Sequence, residues 1–184
     1  MKNGDKYFPF QGYDAKDSFV PPVGVPVGQG RINPDNIRYL YTSSDVETSI
    51  LEVRARPDEY VSVADIEITA PLTFIDTAID SVCWWDNNKK DEWFALFLWA
   101  LSDLFRQQYV NSGDYYLCQY ISEYWKNLGI DGIRFKSAMS RYLDKEGFNL
   151  TVFNYDKCKV TASKLYLVYS MTVKTDPENE SRKG

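Results

Sequence analysis

Hydrophobic residues follow two different periods along this chain, and the switches between them outline its elements. From Arg38 to Thr42 the pattern alternates around Tyr39 and Tyr41, which predicts a strand. Ser44-Asp45-Val46-Glu47 then has capping-box spacing, with Ser44 as N-cap and Glu47 at the third helical position. The helix it opens runs from Asp45 to Arg54 and carries Val46, Ile50 and Val53 on one face. Tyr60 to Ala70 returns to period two, with Val61, Val63, Ile66 and Ile68 set among polar residues, and Leu72 to Ile75 reads as a further strand. Asp91 to Tyr109 is apolar on nearly every side, as a fully buried helix is. Asn111-Ser112-Gly113-Asp114 breaks that pattern, and Tyr115 to Leu128 predicts a second long helix closed by Gly129 in the left-handed conformation. Three short strands, Gly132 to Phe135, Asn149 to Asn154 and Lys164 to Lys174, complete the order.

This order describes one α+β domain over residues 31–174. Residues 1–30 precede it as an extended Pro/Gly-rich segment, with Phe8-Pro9-Phe10 and Pro21-Pro22-Val23-Gly24-Val25-Pro26, whose aromatics are expected to pack on the domain. Residues 175–184 are charged and lack apolar anchors, so a disordered tail is expected.

Composition narrows the chemistry more than the fold. The chain of 184 residues has no histidine, which removes Ser–His and Cys–His nucleophile pairs and the commonest zinc ligand. Cys83, Cys118 and Cys158 are odd in number and form no CxxC, so reduced thiols and no metal are expected. The net charge of −5, with no basic cluster before the tail longer than Lys89-Lys90, argues against direct binding of nucleic acid. No apolar segment follows the polar first residues, and the longest apolar run, Trp93 to Leu101, is about half a bilayer span. A cytoplasmic protein that enters no membrane is expected. The sequons Asn149-Leu150-Thr151 and Asn179-Glu180-Ser181 carry no weight without a secretion signal.

Four residues suggest chemistry, each with an ordinary alternative. Arg31, between Gly30 and the turn Asn33-Pro34, suits bidentate contact with a diphosphate or carboxylate, though taken alone a surface pair with Asp35 or Glu52 is the stronger reading. Tyr41 offers a ring to stack and a hydroxyl for a ribose, or simply packs. Glu52 lies roughly 130° around its helix from the apolar stripe, toward solvent or a cleft. There it either stabilises an oxocarbenium-like centre or is a solvated glutamate beside Arg56. Glu47, Glu59 and Glu67 meet the same compositional argument, so spacing alone does not choose. Ser137, after a short strand, suits hydrogen bonding in a cleft better than nucleophilic attack, because no histidine is present to activate it.

Order and context join these parts. Gly30-Arg31-Ile32-Asn33-Pro34, Tyr39-Leu40-Tyr41 and Thr48-Ser49-Ile50-Leu51-Glu52-Val53-Arg54 resemble the opening block of the RES-domain family. The second block agrees: Tyr120-Ile121-Ser122-Glu123-Tyr124, Gly129-Ile130-Asp131-Gly132-Ile133-Arg134-Phe135-Lys136-Ser137 and Gly147-Phe148-Asn149-Leu150-Thr151-Val152-Phe153. The resemblance runs from about Phe19 to Phe153 and departs at Ile32, where a small or aromatic residue is common, and at Ala138, where a second serine is usual.

The resemblance implies a single domain similar to the ADP-ribosyltransferase fold, with two small mixed sheets and flanking helices around an NAD cleft. It implies an NAD-consuming glycohydrolase or phosphorylase, typically the toxin of a bacterial toxin–antitoxin pair neutralised by a helix-turn-helix antitoxin of the Xre type. A protein ADP-ribosyltransferase and a non-catalytic NAD-binding module are the alternatives. The family arginine, tyrosine, glutamate and serine fall on Arg31, Tyr41, Glu52 and Ser137. NAD enters as substrate, with Arg31, Tyr41 and Ser137 binding it and Arg31, Glu52 and Ser137 in catalytic roles.

Overall fold

The computed structural model of the chain describes residues 12–78, 89–106, 115–139 and 146–170. These form, in order, β1 (Leu40–Ser43), α1 (Val46–Glu52), β2 (Tyr60–Ile68), β3 (Phe74–Asp76), α2 (Lys89–Arg106), α3 (Tyr116–Asn127), β4 (Gly132–Lys136), β5 (Phe148–Val152) and β6 (Cys158–Leu167). The fold class is α+β. One sheet has the order β1-β5-β4-β3 and the other pairs β2 with β6. Only the first sheet is mixed: β3 runs parallel to β4, which requires a long crossover, and α2 and α3 lie on it. The β2–β6 pair is antiparallel throughout.

The four-stranded sheet has two differently occupied faces. Tyr39, Ile133, Phe135 and Phe153 join Ile32, Leu101, Phe105 and Cys118 in one core, with Ile121 and Trp125 of α3 against it. Leu40 and Val152 look the other way and meet Cys158 of β6, with Ile66 of β2 and Phe19 and Val20 packed alongside. Alternation along each strand is what sends neighbours to opposite faces.

Several elements differ from the sequence expectation. The last strand is Cys158–Leu167, not Lys164–Lys174, because nine residues of β2 find partners only if β6 begins at Cys158. The N-cap of α1 is Asp45, not Ser44: Asp45 Oδ1 accepts the Thr48 N–H at 3.0 Å. Ser44 instead accepts the N–H of Phe148 at 3.1 Å, joining the helix entry to β5. Helix α2 is not buried on every side. Leu101 and Phe105 are buried, whereas Phe97 and Trp99 are exposed, because the helix lies on one face of the sheet against β4. Gly129 closes α3 with φ +85°, as expected. Phe8-Pro9-Phe10, Cys83, Asn87-Asn88, Tyr109, the break at Asn111 to Asp114, Ser140-Arg141, the end of the expected last strand beyond residue 170, and the tail with Asn179 lie outside the described residues.

Asp131, just before β4, pins several loops together. It accepts the Thr73 N–H at 2.9 Å, Asn154 Nδ2 at 3.2 Å and Lys157 Nζ at 3.1 Å. The Thr73 N–H, with Lys157 and Asn154, holds its carboxyl below the usual carboxylate range, against the opposing effect of burial. A depressed folded-state pKa gives stability that is complete above the unfolded-state value of about 3.9 and is lost as pH falls through the folded value. Acidification from pH 7 through about pH 4 and below is therefore expected to cost the parent more than Asp131→Asn. Urea midpoints of the two proteins, measured across that range, should converge at the acid end; a constant gap refutes the assignment.

Candidate active site

The register of the mixed sheet assembles one side of the site. Ser43 of β1 stands opposite Asn149 of β5, and Asn149 opposite Phe135 of β4, so the three side chains form a row on the face that carries Tyr39 and Phe153. Ser137 is two residues beyond Phe135, at the end of the same strand. Above this row comes Glu52, the last residue of α1.

Glu52 faces the row and not open solvent. Its Oε1 accepts Ser137 Oγ at 2.5 Å and Asn149 Nδ2 at 2.7 Å. Among the described residues no ion pair joins Glu52 to Arg56, whose backbone N–H donates to Glu59. Ser137 is 1% exposed and accepts the N–H of Met139, so it sits behind the carboxylate.

Tyr41 of β1 and Arg31, on a loop held by polar side chains, form the opposite side. Tyr41 Oη donates to Asn33 Oδ1 at 2.7 Å and accepts the Ile32 N–H at 3.3 Å. Asn33 Nδ2 donates to the carbonyls of Gly28, Pro34 and Ile37. Gln119, buried on α3, donates through Nε2 to the carbonyl of Gly30 at 2.8 Å. A Cβ on Gly30 would lie 2.5 Å from Asn33 Oδ1 and 2.9 Å from Tyr41 Oη, so this position has room only for glycine.

Burial of its hydroxyl pushes Tyr41 up to about 12, outweighing backbone hydrogen bonds at Ile32 and Asn33 and the charge of Arg31. The residue as a whole is 47% exposed, so the ring is open while the oxygen is enclosed in the loop. At neutral pH Tyr41 is an aromatic wall and a hydrogen-bonding phenol, not a base.

Arg31 pairs with neither carboxylate considered from sequence. Asp35 accepts the Gln29 N–H, while Arg31 Nη1 donates to the carbonyl of Phe105 at 2.5 Å. Its guanidinium carbon lies 5.7 Å from the centre of the Phe135 ring, and its Nε is buried without a hydrogen bond. A cation so held, with no carboxylate neutralising it among the described residues, suits an anionic ligand.

Between the two sides lies a cleft of about 340 Å³, whose wall includes Arg31, Tyr41, Ser49, Glu52, Tyr115 and Asn149. That volume falls within the range of about 300–1,000 Å³ usual for small-molecule sites. A larger cavity of about 730 Å³ opens between the two sheets and shares Tyr41, Thr42, Ser43, Ser49, Val53 and Asn149 with it. The smaller space holds both the arginine and the anchored carboxylate. Among the described residues no cluster of three His, Cys, Asp or Glu side chains is placed to hold a metal ion.

The family model described as RES domain matches residues 8–171. The chain belongs to the RES domain family. No curated protein and no solved structure matches it. In this RES domain the departure at Ile32 has a packing reason: its side chain is fully buried in the core beneath the site. Ala138 follows Ser137 in a turn. No helix among the described residues is long and apolar enough to cross a membrane.

Of the four residues singled out from sequence, Arg31, Tyr41 and Glu52 line one cleft and Ser137 hydrogen-bonds the carboxylate from behind. Three supporting residues were not singled out: Asn149, Asn33 and Gln119. Period two along β5 puts Asn149 on the same face as buried Thr151 and Phe153, which was a readable signal. The sequon at Asn149 lies on that strand and is buried at both Asn149 and Thr151.

Proposed function

We propose that this RES domain cleaves the nicotinamide–ribose bond of NAD, passing the ADP-ribosyl group to water or phosphate. The observation that carries the reading is Glu52, anchored through one oxygen at the wall of a cleft whose other wall holds Arg31 and Tyr41. In the reaction the C1′–N bond breaks with its electron pair going to the nicotinamide ring. The carboxylate of Glu52 stabilises the positive charge left on the ribose and binds its hydroxyls. Arg31 holds the diphosphate, Tyr41 stacks on nicotinamide, and Ser137 keeps the carboxylate oriented from behind. Water or phosphate captures C1′, and water releases its proton to solvent.

Family membership supports a wider role as the toxin of a toxin–antitoxin pair, held in check by a helix-turn-helix antitoxin, with a fold similar to the ADP-ribosyltransferases. The deciding experiment incubates purified protein with NAD labelled in the adenylate half, with and without phosphate. Loss of NAD with release of nicotinamide and of free ADP-ribose or its phosphate is expected. Label retained on protein would make the chain a transferase, and intact NAD with no labelled acceptor would end the enzymatic reading.

A further inference from the structure

Asn149 occupies the point where the cleft, the larger cavity and the sheet row meet. It is 7% exposed, and both ends of its amide are used: Nδ2 to Glu52 Oε1 at 2.7 Å, and Oδ1 from Ser43 Oγ at 2.8 Å. An ionised carboxylate only accepts hydrogen bonds, so the amide must turn its NH2 to Glu52 and its oxygen to Ser43, whose hydroxyl then donates. Ser137 Oγ likewise donates to Oε1 and takes the Met139 N–H in return. The donors Ser43 to Asn149 to Glu52, and Met139 to Ser137 to Glu52, all run inward and end on one oxygen. Among the described residues Oε2 accepts no hydrogen bond.

We propose that Asn149 is a positioning residue for the reaction: it fixes the carboxylate of Glu52 by one oxygen and turns the other toward substrate. The proposal rests on the NAD-cleaving reading above. Glu52 ends a helix of seven residues, and terminal helix residues fray. Two donors, one on β5 and one just past the end of β4, hold the group where the helix alone leaves it free to swing. Because Asn149 is buried in the sheet, its donor meets Glu52 without competition from bulk water. Serine at this place lacks the reach, and aspartate reproduces the shape while setting one carboxylate against another.

The test uses Asn149→Leu, which keeps the approximate size without the donor, and Asn149→Asp, which keeps the shape and the acceptor for Ser43. Each is expected to lower kcat for NAD about 10–100-fold, the range for partners that orient a catalytic group, with KM moving less than about threefold. In a Glu52→Ala background, Asn149→Leu should reduce the residual rate by less than about twofold, because a residue acting through Glu52 has nothing left to orient. Independently of turnover, the side-chain amide resonance of Asn149 in a 15N spectrum should be shifted and slowly exchanging in the parent, and should move in Glu52→Ala. Full kcat in both folded variants, or equal losses with and without Glu52, overturns the proposal. If the parent leaves NAD intact, the functional reading fails by itself. The amide resonance then judges the contact: one that ignores Glu52→Ala refutes it, and one that moves shows the anchor without the reaction.

Discussion

Glu52→Gln is expected to lower NAD consumption about 10²–10³-fold, as loss of a preorganised charge-stabilising group does, while leaving the protein folded. Glutamine keeps the length and shape of glutamate. Its amide oxygen can still accept Ser137 Oγ and Asn149 Nδ2, the two bonds that seat Glu52. Its amide nitrogen then faces the cleft and presents a donor where a charged acceptor stood. The loss therefore falls on the charged state of the reaction, and kcat should drop far more than KM rises. Initial rates of NAD loss, with thermal melts of both proteins, decide the matter. A folded variant within threefold of the parent shows that another group carries the charge. Glu52→Asp should also lose activity, since the carboxylate withdraws by one methylene from both anchors.

The second large effect is on stability. Phe105 is fully buried, stacks on Trp125 at 5.7 Å and meets Phe135 at 6.3 Å between ring centres. Phe105→Ala is expected to cost about 3–5 kcal/mol, the range for removing a core aromatic and leaving a cavity. For a domain of this size that corresponds to a melting point lower by roughly 6–20 °C. The same residue lends its carbonyl to Arg31, and Phe135 lies under the guanidinium. Activity at a temperature where the variant is still folded should therefore fall as well, through a less firmly held Arg31. A loss below about 1 kcal/mol in urea titration contradicts the packing described. Phe105→Leu, which refills much of the space, should recover most of the stability.

How much of this was legible in the sequence depended on how local each signal was. The strands at Tyr60 and Gly132 and the helix closed by Gly129 were read nearly to the residue, since alternation and a left-handed glycine are features of adjacent positions. The last strand was placed about six residues late, because Cys158-Lys159-Val160-Thr161 shows its alternation only when the length of its distant partner β2 is known. Ser44 lost the cap to Asp45 for a similar reason: β5 claims its hydroxyl, and no local rule reports that. Within the site, Arg31, Tyr41 and Glu52 each had an ordinary reading that single positions did not defeat. Alternation along β5 marks Asn149 as facing the core, but its contact with Glu52 follows only from the register that sets it beside Ser43.

The spacing of these contacts along the chain has a consequence for how a protein of this family comes into being. Glu52 is fastened by residues 85 and 97 positions further on. Synthesis must therefore run 97 residues past Glu52 before the second of those donors exists. Until then the carboxylate has at most Ser137 to fasten it, and the row across β1, β5 and β4 lacks its middle strand. Fragments from early termination or proteolysis upstream of Asn149 lack β5 and the second anchor of Glu52. For a protein proposed to spend the cell's NAD, the order of synthesis is itself a safety catch.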